Sequence, residues 1–491
     1  MTHGWTREAL ILEHIAFRYP EYPGVPSGKV LEDVNASFAR GEVSMVLGKP
    51  EAGKTTLSRI MAGLVPRHTG GTLEGRIAVP GLPEELPAPP EMIEHLGIVF
   101  QDADEQILMT RCDYEAAFAL ESLGVSRADM KRRLSEAFEV TGLQGFESRN
   151  PAQLSGGEKK KLLMASLIAV NPAFWILDET LEELDLPTRK KILSFLRVHE
   201  AGVILFSSRY PGLLGSYFDS FSLLSSGKVA GPFTSPDEED LAGTGGEGLF
   251  LKAPESGPGP SGRYPAGDSV LRVDDLSFSY SGKGAFSLDV EHLAFSAGET
   301  VCLVGRNGCG KSTLGKILCG LLRPEKGRIS LAEPGALPVK AEPEELHRHV
   351  GYMFQNPDYQ IFLPSVREEL MYGSRFGEDT IREAAELFSL GSLDAPPALL
   401  SYGTRKRLQA ACYFLLSRCV YILDEADSGI SYGDFRCIIR NLAGPGRCVL
   451  IITHDVDLAR ATADRILVMD KGRVVSECTA DTWDSLGDLE D

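Results

Sequence analysis

Two nine-residue stretches carry the groups that phosphoryl chemistry needs. "GKPEAGKTT" (48–56) and "GRNGCGKST" (305–313) both fit G-x-x-x-x-G-K-[ST]. Glycines at Gly48 and Gly53, and at Gly305, Gly308 and Gly310, let backbone N–H groups turn inward around phosphate oxygens. Lys54 and Lys311 neutralise the β- and γ-phosphates, and the hydroxyls of Thr55 and Ser312 suit Mg²⁺, with Thr56 and Thr313 next in line as nucleotide-binding candidates. Two further runs, "FWILD" and "VYILD", end in Asp178 and Asp424, which can hold Mg²⁺ or its waters. Glu179 and Glu425 follow directly, and a carboxylate there can polarise an attacking water. The chemistry implied is Mg²⁺-dependent hydrolysis of a nucleoside triphosphate, and the chain carries the parts twice.

The elements that must position these groups also occur twice. "VSMVLG" and "VCLVG" are apolar runs of strand length ending in glycine. Each is followed by apolar residues at helical spacing: Leu57, Ile60, Met61 and Leu64, then Leu314, Ile317, Leu318 and Leu321. "FWILD" and "VYILD" read as strands buried on both faces of a parallel sheet. "DYEAAFALESL", "ADMKRRLSEAF" and "TIREAAELFSL" read as helices inserted into an α/β core. Five motifs recur in one order, and Ser155 to Asp178 has the same spacing as Ser401 to Asp424. The chain is therefore read as a duplicated domain, 1–233 and 268–491. The two copies are joined by the acidic, Gly/Pro-rich stretch 234–267, whose composition cannot bury enough apolar surface to order itself. The tail from about 473 is expected to add one short helix.

Composition narrows the class. The 491 residues are 43% hydrophobic, as packed cores require, and the net charge of −19 argues against an electrostatic grip on nucleic acid or anionic lipid. The nine cysteines form no CxxC pair, which fits a reducing compartment. The start "MTHGWTREALILEH" lacks the pattern of a signal peptide, and the longest apolar run, "LLMASLIAV", is too short to span a bilayer. Any membrane role is expected to come through a partner.

"LSGGE" (154–158) and "LSYGT" (400–404) carry a family resemblance. Together with the phosphate loops they resemble the signature motif of ATP-binding cassette (ABC) proteins, over nearly the whole chain outside the linker. The resemblance implies an α/β fold of two P-loop NTPase domains of ABC type, each with a mixed or parallel β core and an inserted helical subdomain. It implies ATP and Mg²⁺ as cofactors, with two ATP molecules held head to tail between phosphate loop and opposite signature. Ser155, Gly156, Gly157, Ser401 and Gly403 would then serve as signature residues, and Gln101 and Gln355 would lie near Mg²⁺. Tyr19 and Tyr280 fall where the family stacks an aromatic on adenine, with Tyr22 as a rival for Tyr19. His454, in "VLIITHDVD", matches the switch histidine that contacts the γ-phosphate and the attacking water, while the first copy, "VILFSSRYP", carries Ser208 there. By the head-to-tail rule, three departures (Ser208, Tyr402 in the second signature, and Ser431 where the first copy has Asp185) fall on one site. That site is expected to be degenerate.

After each of these glutamines, "FQDADEQIL" and "FQNPDYQIF" share Asp104 with Asp358 and Gln106 with Gln360. This resembles the ATPases of energy-coupling factor (ECF) transporters, importers of vitamins or metal ions. The resemblance implies a transmembrane T component and a substrate-binding S component as partners, no nucleic acid, and a peripheral location on the cytoplasmic face of the cell membrane. The alternative is a soluble tandem ABC ATPase acting on ribosomes or another non-transport partner. The acidic linker and anionic surface speak against it.

Overall fold

A computed structural model describes residues 8–20, 28–83, 88–182, 184–234, 246, 248–251, 269–280, 286–332, 339–373, 376–479 and 482–483. Contacts divide the chain into two compact units, Met1–Phe250 and Leu251–Asp491.

Each unit is built on a six-stranded sheet. In the first, the order is Leu96–Val99, Phe174–Asp178, Gly202–Ser207, Val43–Leu47, Ser220–Ser225 and Lys228–Phe233. The first five strands are parallel and the last pairs antiparallel with its neighbour. The second unit repeats this order with Val350–Met353, Val420–Asp424, Cys448–Ile452, Thr300–Gly305, Arg465–Asp470 and Arg473–Cys478. Strands Phe174–Asp178 and Val420–Asp424 are buried at every position, as expected of parallel strands covered on both faces. A second, antiparallel sheet in each unit (Lys29–Ala39, Ala9–Arg18 and Thr72–Ala78 in the first) closes the core over the helix that follows the phosphate loop. The equivalent core of the second unit gathers Val273, Leu293, Leu314, Ile317, Ile422 and Ile452. The helices expected as an insert are present, Cys112–Ser122 and Arg127–Thr141 in the first unit and Glu378–Leu387 in the second, where Val366–Met371 adds a helix that was not expected.

This topology positions the chemistry. Phosphate loop, acidic strand end and switch segment all leave the sheet at the C-terminal ends of three adjacent parallel strands. In the first unit Leu47 pairs with Ser207, and Phe206 with Asp178. In the second, Ile452 pairs with both Leu303 and Asp424.

Two sequence expectations are refined. The tail opens as a strand, Arg473–Cys478, paired antiparallel with Arg465–Asp470 because its alternating side chains suit a half-covered sheet edge, and the rest of the tail in which a short helix was expected lies, after Thr479 and apart from 482–483, outside the described residues. Beyond it Trp483 is 2% exposed, and its carbonyl accepts from Arg460 at 2.9 Å. The expected linker begins too early. Within 234–267, Leu249 and Phe250 are buried; Tyr210 N–H donates to the Leu249 carbonyl at 2.9 Å, and the Tyr210 and Phe250 rings lie 5.1 Å apart. Leu249 and Phe250 are therefore packed as part of the first unit. The rest of that stretch, apart from Thr234, Gly246, Gly248 and Leu251, lies outside the described residues, as does Tyr22.

Removing this anchor should cost what truncation of a buried aromatic usually costs. Phe250→Ala is expected to destabilise the first unit by about 3 kcal/mol, read as a lower denaturation midpoint of that unit alone. An unchanged midpoint would place Phe250 in the linker after all.

Candidate functional site

The phosphate loops enter their helices through glycine. Gly53 (φ +99°) and Gly310 (φ +109°) precede helices Lys54–Met61 and Lys311–Leu318, and a Cβ on Gly310 would lie 2.2 Å from the Phe286 ring. Only glycine combines this backbone with that approach. Both lysines are 5% exposed. Lys54 Nζ donates to the carbonyls of Gly48 (2.8 Å) and Lys49 (3.1 Å), and Lys311 Nζ to those of Gly305 (2.9 Å) and Arg306 (3.1 Å). The ammonium is thus held at the mouth of each loop. Tyr19 and Tyr280 sit beside the same helices, their hydroxyls 3.2 Å from Thr56 Oγ1 and 3.4 Å from Thr313 Oγ1. Each packs edge-on against a phenylalanine, Phe17 or Phe278.

The strand-end carboxylates suit a hard cation. Asp424 accepts from Ser312 Oγ at 2.8 Å and from the Tyr352 hydroxyl. Asp178 accepts from Ser58 Oγ at 3.0 Å, while its buried Oδ1 has no hydrogen-bond partner. Burial, and then the adjacent Glu179 charge, push Asp178 up to about 6. An orphaned, desolvated carboxylate oxygen beside a phosphate loop is what a divalent cation with oxygen ligands would satisfy.

The glutamates are wired differently in the two units. Glu425 Oε1 lies 2.8 Å from His454 Nε2. Burial acts to raise Glu425, but the hydrogen bond and charge of His454 outweigh it and hold the carboxyl below its ordinary range. In the first unit Ser208 stands where His454 does. Its hydroxyl donates to Glu179 Oε1 at 2.5 Å and accepts from Lys54 Nζ at 3.0 Å. The shorter side chain lets Lys54 Nζ reach Glu179 Oε1 itself at 3.2 Å, and Gln101 Nε2 donates to Glu179 Oε2 at 2.8 Å. Burial raises Glu179, yet the Lys54 charge prevails and lowers it. Both oxygens of Glu179 are therefore engaged within the unit. Gln355, by contrast, is exposed, and its backbone carbonyl accepts from the Tyr402 hydroxyl at 3.0 Å.

The signature motifs open helices Gly156–Val170 and Tyr402–Leu416. Ser155 and Ser401 are the N-caps, accepting from the N–H of Glu158 (3.3 Å) and Thr404 (3.1 Å). Gly156 and Gly157, and Gly403, occupy the first helical positions. Tyr402 is fixed to the segment after Phe354 by its hydroxyl, so its ring has a structural partner beyond simple bulk. Ser431 also has one. It caps helix Tyr432–Leu442 as Asp185 caps Leu186–Val198. The carboxylate absent at 431 reappears as Asp434, which pairs with Arg407 where Asp185 pairs with Lys161 at 3.1 Å. Burial opposes ionisation of Asp185, but Lys161 wins and holds it at about 2. Of the three departures counted on one site, Ser431 is thus a structural exchange. Ser208 remains a change of chemistry.

Sequence reasoning missed Glu182, Arg209 and the buried lysines Lys160 and Lys406. Glu182 Oε1 accepts from Ser207 Oγ at 2.7 Å and the Ser208 N–H at 3.2 Å, and burial followed by the Glu179 charge raises its proton affinity. Asp427 bonds Thr453 Oγ1 at 3.0 Å in the corresponding place, one residue earlier in the loop, so alignment hides the equivalence.

Fold and sites together define a tandem of P-loop nucleotide-binding units. The chain belongs to the family described as "ABC transporter", which it matches over residues 31–182 and 288–428. It is therefore an ABC ATPase with two nucleotide-binding domains, and such domains bind ATP, generally with Mg²⁺. It is 32% identical to a "Putative ABC transporter ATP-binding protein" of Methanosarcina mazei, covering 95% of this chain and 94% of that one. It is 30% identical to a "Putative HMP/thiamine import ATP-binding protein" of Bacillus subtilis, covering 94% and 90%. Among solved structures, the archaeal ribosome recycling factor aABCE1 shares the fold, with a TM-score of 0.67, 18% identity, and 94% and 90% coverage.

Loss of either phosphate-loop ammonium should weaken nucleotide binding. Lys54→Ala and Lys311→Ala are each expected to lower the stoichiometry of MgATP binding from two to about one, by removing a charge-assisted contact of order 2 kcal/mol. Equilibrium dialysis reads this directly, and full binding by both variants would refute the assignment.

Proposed function

We propose that this chain is the ATP-hydrolysing subunit of an ECF-type importer, docked to a transmembrane T component that works with a substrate-binding S component. What carries the reading is the segment after Gln101 and Gln355. In both units a glutamine folds it: Gln106 accepts from Phe100 N–H (2.7 Å) and donates to the Ile98 carbonyl (3.0 Å), and Gln360 does the same with Phe354 (3.2 Å) and Tyr352 (3.0 Å). The fold displays Asp104 and Asp358 outward, with side chains 71% and 53% exposed. In the second unit the same region exposes Tyr359, Phe362 and Tyr372. An acidic tip beside exposed aromatics suits a basic, amphipathic helix. Each aspartate already has a cation within the chain: Lys159 pairs with Asp104 at 2.6 Å and Arg405 with Asp358 at 3.2 Å. A docking helix would share or displace those cations. Among the described residues no helix is long and apolar enough to cross a membrane, which agrees with attachment through a partner. The name of the Bacillus subtilis relative, with thiamine import in it, supports the same reading. The fold shared with a ribosome recycling factor supports the alternative only at the level of architecture.

The test is co-purification of the full chain with a polytopic membrane protein. Asp104→Arg combined with Asp358→Arg is expected to reduce recovery at least about tenfold, since each lost charge-assisted contact contributes roughly 1.5–3 kcal/mol. Lys159→Ala with Arg405→Ala leaves the carboxylates in place and should retain the partner. Recovery of ribosomes in place of a membrane protein would overturn the importer reading.

Within the same proposal, turnover falls mainly to the site that uses Glu425 and His454, because Glu179 is held by Lys54, Ser208 and Gln101. Glu425→Gln should lower the steady-state rate by about 10² or more. Glu179→Gln should leave at least about half of it. Equal losses would show two equivalent sites.

A further inference from the structure

The two glutamates share a feature that the roles above do not explain. Glu179 (φ +49°) and Glu425 (φ +48°) both adopt the left-handed backbone conformation, which is sterically unfavourable for a residue with a Cβ. Such a conformation persists only where the surroundings over-determine it. One support is the neighbouring strand: Glu179 N–H donates to the Phe206 carbonyl at 3.0 Å, and Glu425 N–H to the Ile452 carbonyl at 2.9 Å.

The other support arrives from the signature helix. Lys406 is 0% exposed, and its Nζ donates to the carbonyls of Glu425 (3.2 Å), Ala426 (2.9 Å) and Ser428 (2.9 Å). Lys160 is 2% exposed, and its Nζ donates to the Glu179 carbonyl at 3.2 Å. The two lysines stand at matching positions, five residues beyond the N-caps Ser155 and Ser401. An ammonium with three donors suits a nest of three carbonyls, and without them its burial would be prohibitive. We propose that Lys406, and Lys160 in the first unit, are positioning residues that lock the backbone of the water-polarising glutamate in the left-handed conformation and so aim its carboxylate at the phosphate loop.

The inference rests on the proposed catalytic role of Glu425. If the Glu425 peptide relaxed toward ordinary φ values, its side chain would leave the position where Oε1 meets His454 Nε2 at 2.8 Å. A displacement of about 1 Å in such a group commonly costs on the order of 10² in rate. Because the lysine belongs to the signature helix, a shift of that helix would also reach the glutamate of its own unit.

The experiment uses the full chain with MgATP. Lys406→Met, which keeps the length and removes the donors, is expected to lower kcat about 10- to 100-fold while the Kd for ATP, read by equilibrium dialysis, changes less than about twofold. Lys406→Gln, which keeps one donor, should lie between it and the native chain, and it decides the matter if Lys406→Met does not melt cooperatively. In a Glu425→Gln background, Lys406→Met should leave the residual rate unchanged, because the group it aims is already lost. A purely structural lysine would lower ATP affinity, and would lower the residual rate in that background too. A native kcat in Lys406→Met and Lys406→Gln, or losses that add to Glu425→Gln, would overturn the proposal. A native rate in Glu425→Gln itself would instead overturn the catalytic assignment.

Discussion

Each unit depends on placing two adjacent carboxylates at the buried end of a parallel strand. Asp178, Glu179 and Asp424 are buried and the Glu425 side chain is 23% exposed, and two like charges in that setting repel and lose hydration together. Nothing on their own strand can relieve this, so relief comes from elsewhere in the unit. The phosphate-loop lysine approaches from one neighbouring segment, the buried signature-helix lysine from another, and hydroxyls of Ser58, Ser312 and Tyr352 complete the set. The strand order follows from the same need, since only adjacent parallel strands deliver loop, carboxylates and switch residue to one end of the sheet.

Given that shared constraint, the two copies differ in what they let the glutamate do. In the second unit the imidazole of His454 stands at the glutamate while Lys311 stays on the loop carbonyls. In the first, serine is too short to hold that distance, and the lysine and glutamate close on one another. A carboxylate whose two oxygens are occupied by Lys54, Ser208 and Gln101 must break those bonds before it can take a proton from water. The difference therefore lies in the bonds that Glu179 already makes within its unit as well as in the absence of an imidazole.

The parts of the site that follow a local rule were legible in the sequence. Phosphate loops, strand-end acids and capped signature helices are each encoded within a few consecutive residues, and each recurs in both copies. The helical inserts were legible for the same reason. What escaped depends on contacts between segments far apart in the chain. Tyr352 meets Asp424 across 72 residues, and Ser207 meets Glu182 from a position that alignment does not mark. Lys160 and Lys406 did leave a signal, a lysine at the same place in both signature helices. A lysine on a helix ordinarily reads as solvated, so its burial could not be inferred. Leu249 and Phe250 were lost within a composition that is otherwise that of a linker.

The exchanges between the copies separate structural from chemical divergence. Asp185 and Ser431 differ in charge, yet both cap a helix, and the acid needed by the signature-helix cation moves three residues along to Asp434. Lys159 with Asp104 and Arg405 with Asp358 likewise keep one bond while changing its donor. Such swaps preserve the interaction and alter the residue. The Ser208 position has no such compensation. Arg209 follows it where the second unit has Asp455, but the charges of Arg209 and Lys54 both act on the buried Glu182, and neither replaces the imidazole. Set against Ser431, the Ser208 position is where the physical chemistry changes with the letter, and it lies in direct contact with the glutamate.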